Sequence, residues 1–546
     1  MTPIDACVAA CLVPLAIAAV VSGLDDFVLD VALAWRWLER RVRPVDDPPP
    51  PSGGAQGGLP EKRIAVFVPL WQEHAVIAKM LKHNVETIRY SNYDFFVGAY
   101  VNDPQTLDAV RAAEARYSTV HLAIVPHNGP TSKADCLNWI YQGMLAHEEA
   151  CGGRFDLVVT HDAEDVVHPE CLRWINHYSD GYDMVQVPVL PLATPGYRFT
   201  HGVYCDEFAE FQTKDVPVRE RLGGFVPSNG VGTGYARRAL EALAAAESNR
   251  VFDPTCLTED YDLGFRLHRL GFRQTFLPIR FLDGQPVATR EYFPQRFRQA
   301  VRQRTRWVMG IALQGWERHG WSGGVAAAYW FWRDRKGLVG NPLSLLGNLV
   351  CLYGLATWLG CLLAGQVWGL RQVTFGPAAR LMLALALVSQ AHRMLVRMSC
   401  AARLYGWAFA AGAPVRAVWA NWLNGIATLR AIVRYARASL ARQPHVWLKT
   451  DHVYPALESP IAPAELVLED VDLCLVSRRA ARALPRQVVE RWKVLPFRVT
   501  DGQMLLATPR EPNKSLKARL RRHTRLEVRF RLVSAENFEK LRRASL

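Results

Sequence analysis

Hydrophobic and polar positions divide the chain into regions of different period. Residues 6–21 are apolar and uncharged, a run near the short limit for a membrane span. Residues 25–43 interleave apolar side chains with Trp and Arg and read as a helix along the membrane interface. No Lys or Arg precedes the first run, whereas Arg36, Arg40, Arg41 and Arg43 follow it. The positive-inside rule then puts the N-terminus outside and the next region in the cytoplasm. A cleaved signal peptide ending at Ala16-Ile17-Ala18 is the competing reading, but the basic leader of such peptides is missing.

Pro48 to Pro51, then Ser52-Gly53-Gly54 and Gly57-Gly58, hold neither a helix nor a central strand, so residues 23–60 read as interfacial helix plus linker. Beyond them the period shortens. Residues 64–69, 95–101, 121–125, 157–160 and 184–189 read as strands, and 74–89 and 107–115 as amphipathic helices. This alternation predicts an α/β domain with a mostly parallel sheet over 61–290. Interfacial helices follow over 291–335. Apolar blocks at 338–363 and 378–396 predict two further spans within 336–403. Residues 404–443 are apolar but interrupted by Pro414, Arg416, Asn421 and Arg430, which reads as an interfacial helix, with a fourth span as the alternative. Residues 451–546 are mixed in polarity and predict a small α+β domain of their own.

Charge sharpens the picture. The 546 residues hold 65 Lys plus Arg against 51 Asp plus Glu, a formal net charge of +14. A basic excess suits nucleic acid, anionic lipid or an anionic substrate. No zinc-ligand spacing or ribonucleoprotein signature appears, so nucleic acid is not an expected partner. The basic residues gather beside apolar stretches, at 36–43 and 290–306, which suits membrane lipid at a cytoplasmic surface. The 11 Cys are scattered without a C-x-x-C pair, which implies a reduced setting without structural disulfides.

Candidate chemistry begins at His161-Asp162-Ala163-Glu164-Asp165, directly after the strand 157–160. Carboxylates at the C-terminal end of such a strand lie where open α/β sheets bind ligands. Hard oxygen ligands on one loop suit Mg2+ or Mn2+ bridging to a diphosphate. Alone, the string is a common solvated turn. It belongs to an ordered set: Pro69 and Glu73 after the first strand, Asn102-Asp103 after the second, and Lys133 just before a helix that bears Asn138. Thr258-Glu259-Asp260 and Gln303-Arg304-Thr305-Arg306-Trp307 follow. On a helix Gln303, Arg306 and Trp307 share one face. Taken singly, Asp260 also reads as a helix cap and Trp307 as core.

The ordered set resembles glycosyltransferase family 2, the GT-A fold, in its cellulose-synthase-like branch, over about residues 61–310. Asp162–Asp165, Ala288–Pro294 and Trp332–Gly337 are similar to the bacteriophage-adsorption protein B group of inner-membrane glycosyltransferases. The resemblance implies roles. Pro69, Glu73 and Asp103 take the nucleotide, though the usual D-D-G reads Asn102-Asp103-Pro104 here. Lys133 holds the diphosphate. Asp162 serves the metal, directly or through the diphosphate, with Glu164 or Asp165 beside it. Asp260, next to Glu259, is the general base. Arg306 stabilises the diphosphate leaving group, with Gln303 on the same helix face in the catalytic set, and Trp307 stacks on the acceptor sugar. Gly232, Thr233 and Gly234 bring backbone close to the acceptor. One base and no nucleophile imply direct displacement with inversion. A UDP-sugar donor, by resemblance a UDP-N-acetylhexosamine, a polysaccharide acceptor and an outer-membrane export partner complete the expectation, with the catalytic domain and C-terminus cytoplasmic. A membrane receptor or scaffold with a degenerate catalytic domain is the alternative.

From about residue 462 the chain resembles part of the N-terminal domain of type II secretion ATPases, through Ala483–Arg486, Val494–Pro496, Leu505–Ala507 and Leu532–Ser534. Such domains bind cyclic di-GMP in some families. The R-L-G repeats that accompany that binding are not visible here.

Overall fold

A computed structural model describes residues 2–42, 60–282, 284–443 and 454, and most of 478–545. The expected Pro/Gly linker lies outside these residues, as does the start of the secretion-ATPase-like stretch. The chain divides into two units, Met1–Pro455 and Ala456–Leu546.

The first unit is built on a sheet of seven strands. In chain order they begin β1 (Ile64–Pro69), β2 (Tyr93–Tyr100), β3 (Val120–Val125) and β4 (Leu157–Thr160). After the short β5 (Val166–Val167) come β6 (Met184–Gln186), β7 (Val189–Pro191), β8 (Thr233–Ala236) and β9 (Gln274–Phe276). The order across the sheet is β3-β2-β1-β4-β8-β6-β9. Only β8 runs against the others, pairing antiparallel with both β4 and β6. The fully buried Ile64-Ala65-Val66-Phe67-Val68 run of β1 is what a strand covered on both faces requires. A hairpin of β10 (Phe281–Leu282) and β11 (Gln285–Pro286) leads to β12 (Thr289–Glu291), which joins β5 and β7 in a second, three-stranded sheet. The mostly parallel α/β sheet expected from the sequence is present.

Two elements differ from expectation. The strand expected over 184–189 breaks into β6 and β7. Pro188 lacks the N–H a ladder needs, and the chain passes there from the large sheet to the small one. Residues 25–43 do not form a separate interfacial helix. One helix of 40 residues, Pro3–Val42, continues through them. Its acidic residues explain the continuity. Asp25 and Asp26 meet Arg333 and Lys336, with Lys336 Nζ 2.7 Å from Asp25 and 3.0 Å from Asp26, and Asp26 also meets Arg393 at 2.8 Å. Asp30 pairs with Lys214 at 3.1 Å and with His392 at 2.8 Å. Charges this buried persist only when paired, so the ionic belt fixes the helix against the unit built on the seven-stranded sheet.

Among the described residues three helical segments are long and apolar enough to cross a membrane: Pro3–Arg36, Gly324–Leu363 and Pro377–Tyr405. The helix Ala413–Leu440 is not among them. It buries Arg416 against Asp206, at 2.6 Å, so the charge that interrupts its apolar pattern is an internal contact.

The second unit pairs β13 (Leu495–Thr500) antiparallel with β14 (Gln503–Thr508), and β14 parallel with β15 (Glu527–Leu532). Val489, Leu495, Leu506 and Leu541 form its core with the flanking helices, an α+β arrangement.

Candidate functional site

The C-terminal ends of β1 and β4 open into a cavity of about 1610 Å³. A parallel sheet binds ligands at this end because its loops and helix N-termini converge there. Pro69, Lys133, Asp162, Glu164, Asp260 and Trp307 all line it. The same cavity runs on to Leu12, Val350 and Leu383 of the candidate membrane helices.

On the β4 side the carboxylates divide their work. Lys133 begins the helix Lys133–Cys151, capped by Ser132, and its Nζ lies 2.6 Å from Asp162 Oδ1. Burial opposes its charge, but Asp162, Glu259 and Asp260 outweigh that and hold Lys133 protonated. Asp165 is fully buried beneath the loop. Its Oδ2 accepts from His161 Nδ1 at 2.8 Å and from the Asp162 backbone N–H at 3.0 Å, while its Oδ1 has no hydrogen-bond partner. Burial raises the Asp165 pKa. Glu164 faces the cavity and Asp165 does not line it.

A fourth carboxylate joins them. The antiparallel register Thr289↔Val167, Arg290↔Val166 brings Glu291, also a cavity residue, beside Asp165. Burial and the charges of Glu164, Asp165 and Asp162 push its pKa well above the carboxylate range. The sequence alone assigns Glu291 no role, because nothing local shows that β12 returns to the β4 loop. Three cavity acids, Asp162, Glu164 and Glu291, thus stand on the Lys133 side with Asp165 buried behind them, and oxygen ligands of this kind are those that Mg2+ or Mn2+ takes.

Across the cavity Glu259 and Asp260 open the helix Glu259–Arg269, whose N-terminal N–H groups favour anions. Asp260 Oδ1 accepts from the Tyr261 N–H at 2.8 Å. Burial raises both pKa values, and Asp260 adds to that of Glu259, which is pushed up to about 7. Tyr261 donates to Asp334 at 2.6 Å, and Arg219 grips the same carboxylate at 2.9 and 3.1 Å. The Trp332–Gly337 string therefore braces the Asp260 helix, which the sequence alone did not disclose.

Gln303, Arg306 and Trp307 lie on the helix Phe297–Trp307 and all three reach the cavity. The Trp307 ring packs 6.0 Å from Tyr204 and 6.4 Å from Phe293, which holds it in place.

Four expected site residues stand elsewhere. Asp103 caps the helix Pro104–Arg116 and accepts from the Gln72 N–H at 2.6 Å, so its carboxylate shapes the turn after β1 and does not line the cavity. Thr233 and Gly234 are held in β8 between β4 and β6, and the Thr233 hydroxyl donates to Gln186 at 2.7 Å. Gly232 packs on Thr289. The cavity is reached from this loop by Ser228, Asn229 and Val231. Pro69 and Glu73 do line it.

Residues 60–310 match the family model described as glycosyltransferase like family 2. Bacteriophage adsorption protein B of Escherichia coli K12 is 36% identical over 462 residues, covering 82% of this chain and 62% of the relative. Bacteriophage N4 adsorption protein B of Escherichia coli O157:H7 matches with the same figures. The chain thus spans somewhat under two thirds of the length of these relatives. Among solved structures, the mannosyltransferase PcManGT from Pyrobaculum calidifontis, in complex with GDP-mannose and Mn2+, is 18% identical, with a TM-score of 0.43. That likeness covers 75% of this chain and 99% of the other.

Proposed function

We propose, from the match of residues 60–310 to the model described as glycosyltransferase like family 2, that the protein is a membrane-embedded, inverting transferase. It moves a sugar from a nucleotide donor onto a growing saccharide. The observation that carries this reading is the shared cavity, in which the Lys133–Asp162 pair and the Asp260 carboxylate face one another. The first pair suits a diphosphate and the second suits an acceptor hydroxyl.

An acceptor hydroxyl is a weak nucleophile, so a placed carboxylate must take its proton as the new bond forms. Asp260 does this, and such a base contributes roughly 10²–10⁴-fold. The departing nucleoside diphosphate gains negative charge. Lys133 and Arg306 stand where that charge develops. Asp162 and Glu164 would hold a divalent cation, with Glu291 beside them and Asp165 fixing the loop from below. Such a cation, when bound, supplies positive charge to the diphosphate. Trp307 gives the acceptor sugar an apolar face. Direct displacement by the hydroxyl that Asp260 deprotonates inverts the anomeric centre.

The donor is a UDP-sugar, by likeness a UDP-N-acetylhexosamine, and the site faces the cytoplasm of a bacterial inner membrane. The arginines after the first span support that orientation. The three candidate spans among the described residues are few for a self-contained export path, and polymer export engages a partner in the outer membrane. The test is nucleoside diphosphate release by detergent-purified protein with Mg2+ or Mn2+. Release that requires Asp260 supports the enzyme. A protein that binds its partners normally yet is silent with every donor and acceptor is the scaffold.

A further inference from the structure

A second cluster of metal-ligating side chains lies at the opposite end of the sheet. Asp94 is the second residue of β2, His121 lies on the adjoining β3 opposite Phe96, and His147 lies one turn from the end of the helix that begins at Lys133. Strands rise about 3.3 Å per residue, so β2 alone puts roughly 20 Å between Asp94 and the catalytic cavity. Asp94 Oδ1 is 3.1 Å from His121 Nε2. The two imidazole rings are 4.3 Å apart, and one ligand atom from each of the three residues falls within 4.8 Å of the others. Phe96 walls the pair, at 5.1 Å from His121 and 5.4 Å from His147.

We propose that Asp94, His121 and His147 form a zinc-class divalent-cation site, distinct from the catalytic carboxylates. Two imidazoles and a carboxylate are a ligand set that Zn2+ takes, with solvent in the open position. They differ in kind from the all-oxygen set of Asp162, Glu164 and Glu291, which suits harder ions.

Arg63 holds the position such an ion needs. Its Nη2 is 3.3 Å from Asp94 Oδ2 and 3.5 Å from His147 Nε2. The guanidinium is the resident counter-charge, and a divalent ion displaces it. Arg63 has somewhere to go: it already lies 4.0 Å over the Phe155 ring and donates to the Gly153 carbonyl at 3.2 Å. A bound ion ties β2, β3 and the end of the 133–151 helix together, and adds ligand-linked stability. It also makes a sign prediction that an ordinary ion-pair network does not. Removing Arg63 tightens metal binding, whereas removing either histidine abolishes it.

The experiment uses full-length, detergent-purified protein stripped with chelator and titrated with Zn2+. Calorimetry and thermal melting read the binding, and Co2+ substitution reads the ligand type. Expected are one saturable Zn2+ that raises the melting temperature and a Co2+ spectrum without a thiolate charge-transfer band. His121→Gln and His147→Gln should each lose the site, Arg63→Gln should bind several-fold tighter, and Asp162→Asn should keep it. Absence of saturable uptake overturns the proposal. So does uptake that survives both histidine changes, or a thiolate band, which would assign the metal to cysteine.

Discussion

A Cβ placed on Gly230 would stand 2.7 Å from Oδ2 of Asp260. Gly230 has φ +74°, a backbone region that costs an L-residue roughly 1–2 kcal/mol. Its carbonyl also accepts from Lys133 Nζ at 3.4 Å. One glycine therefore brings the proposed base, the lysine proposed for the diphosphate and the cavity loop together. Gly230→Ala should lose at least tenfold in kcat, because the base must move, while melting only a few degrees lower. Donor turnover set beside a thermal melt checks this. An active alanine variant would show that Asp260 does not need this close approach.

The acids on the β4 loop predict a division of labour. Glu164→Gln and Glu291→Gln should weaken Mn2+ binding by about 10–100-fold, the range for ligands and their supports. Asp165→Asn should chiefly lower the melting temperature, since that side chain holds His161 and the loop backbone. Mn2+ titration followed by electron paramagnetic resonance separates the two. Equal effects of all three changes on Mn2+ affinity would contradict the assignment.

Lys133→Met should raise KM for the donor and lower kcat by roughly 10²–10³, the loss seen when a positioned donor to developing charge is removed. A loss confined to KM would place Lys133 on the ground-state diphosphate only.

The buried acids predict a pH dependence with a definite sign. Asp165, Glu259, Asp260 and Glu291 all have folded-state pKa values raised above their ordinary values, foremost by burial. Between the ordinary value and the raised one, the folded protein binds more protons than the unfolded chain. Stability of the metal-free protein therefore falls as pH rises through that window, from about 4.5 to about 7 for Glu259. Added Mg2+ or Mn2+ should restore it, and restore more at higher pH. Melts from pH 5 to 8, with and without metal, read both trends. A melting temperature that rises across this range without metal would contradict them.

Much of this was legible in the sequence because the signals are local. Alternating apolar runs gave β1 to β4, and carboxylates just past a strand end gave Asp162 and Glu164. The T-E-D and Q-x-x-R-W strings each begin or end a helix whose residues line the one cavity. What was not legible depends on distant returns of the chain. Glu291 reaches the β4 loop only through the small β5-β12-β7 sheet. Asp334 reaches Tyr261 across 73 positions. The acids of the first helix are satisfied by Arg333, Lys336 and Arg393, far along the chain, so residues 25–42 read as interfacial when seen alone. Thr233 and Gly234 misled for a related reason. A glycine-rich string can be a ligand loop or the start of a paired strand, and only the pairing partners decide.

The measurement that bears most directly on the central claim is nucleoside diphosphate release from a panel of nucleotide sugars. It uses detergent-purified full-length protein with Mg2+ or Mn2+ and an Asp260→Asn control. The account predicts release with one donor class, dependent on the metal and lost in Asp260→Asn, while that variant melts normally and still binds the donor. Release that persists undiminished in Asp260→Asn would contradict the assignment of Asp260 as the base.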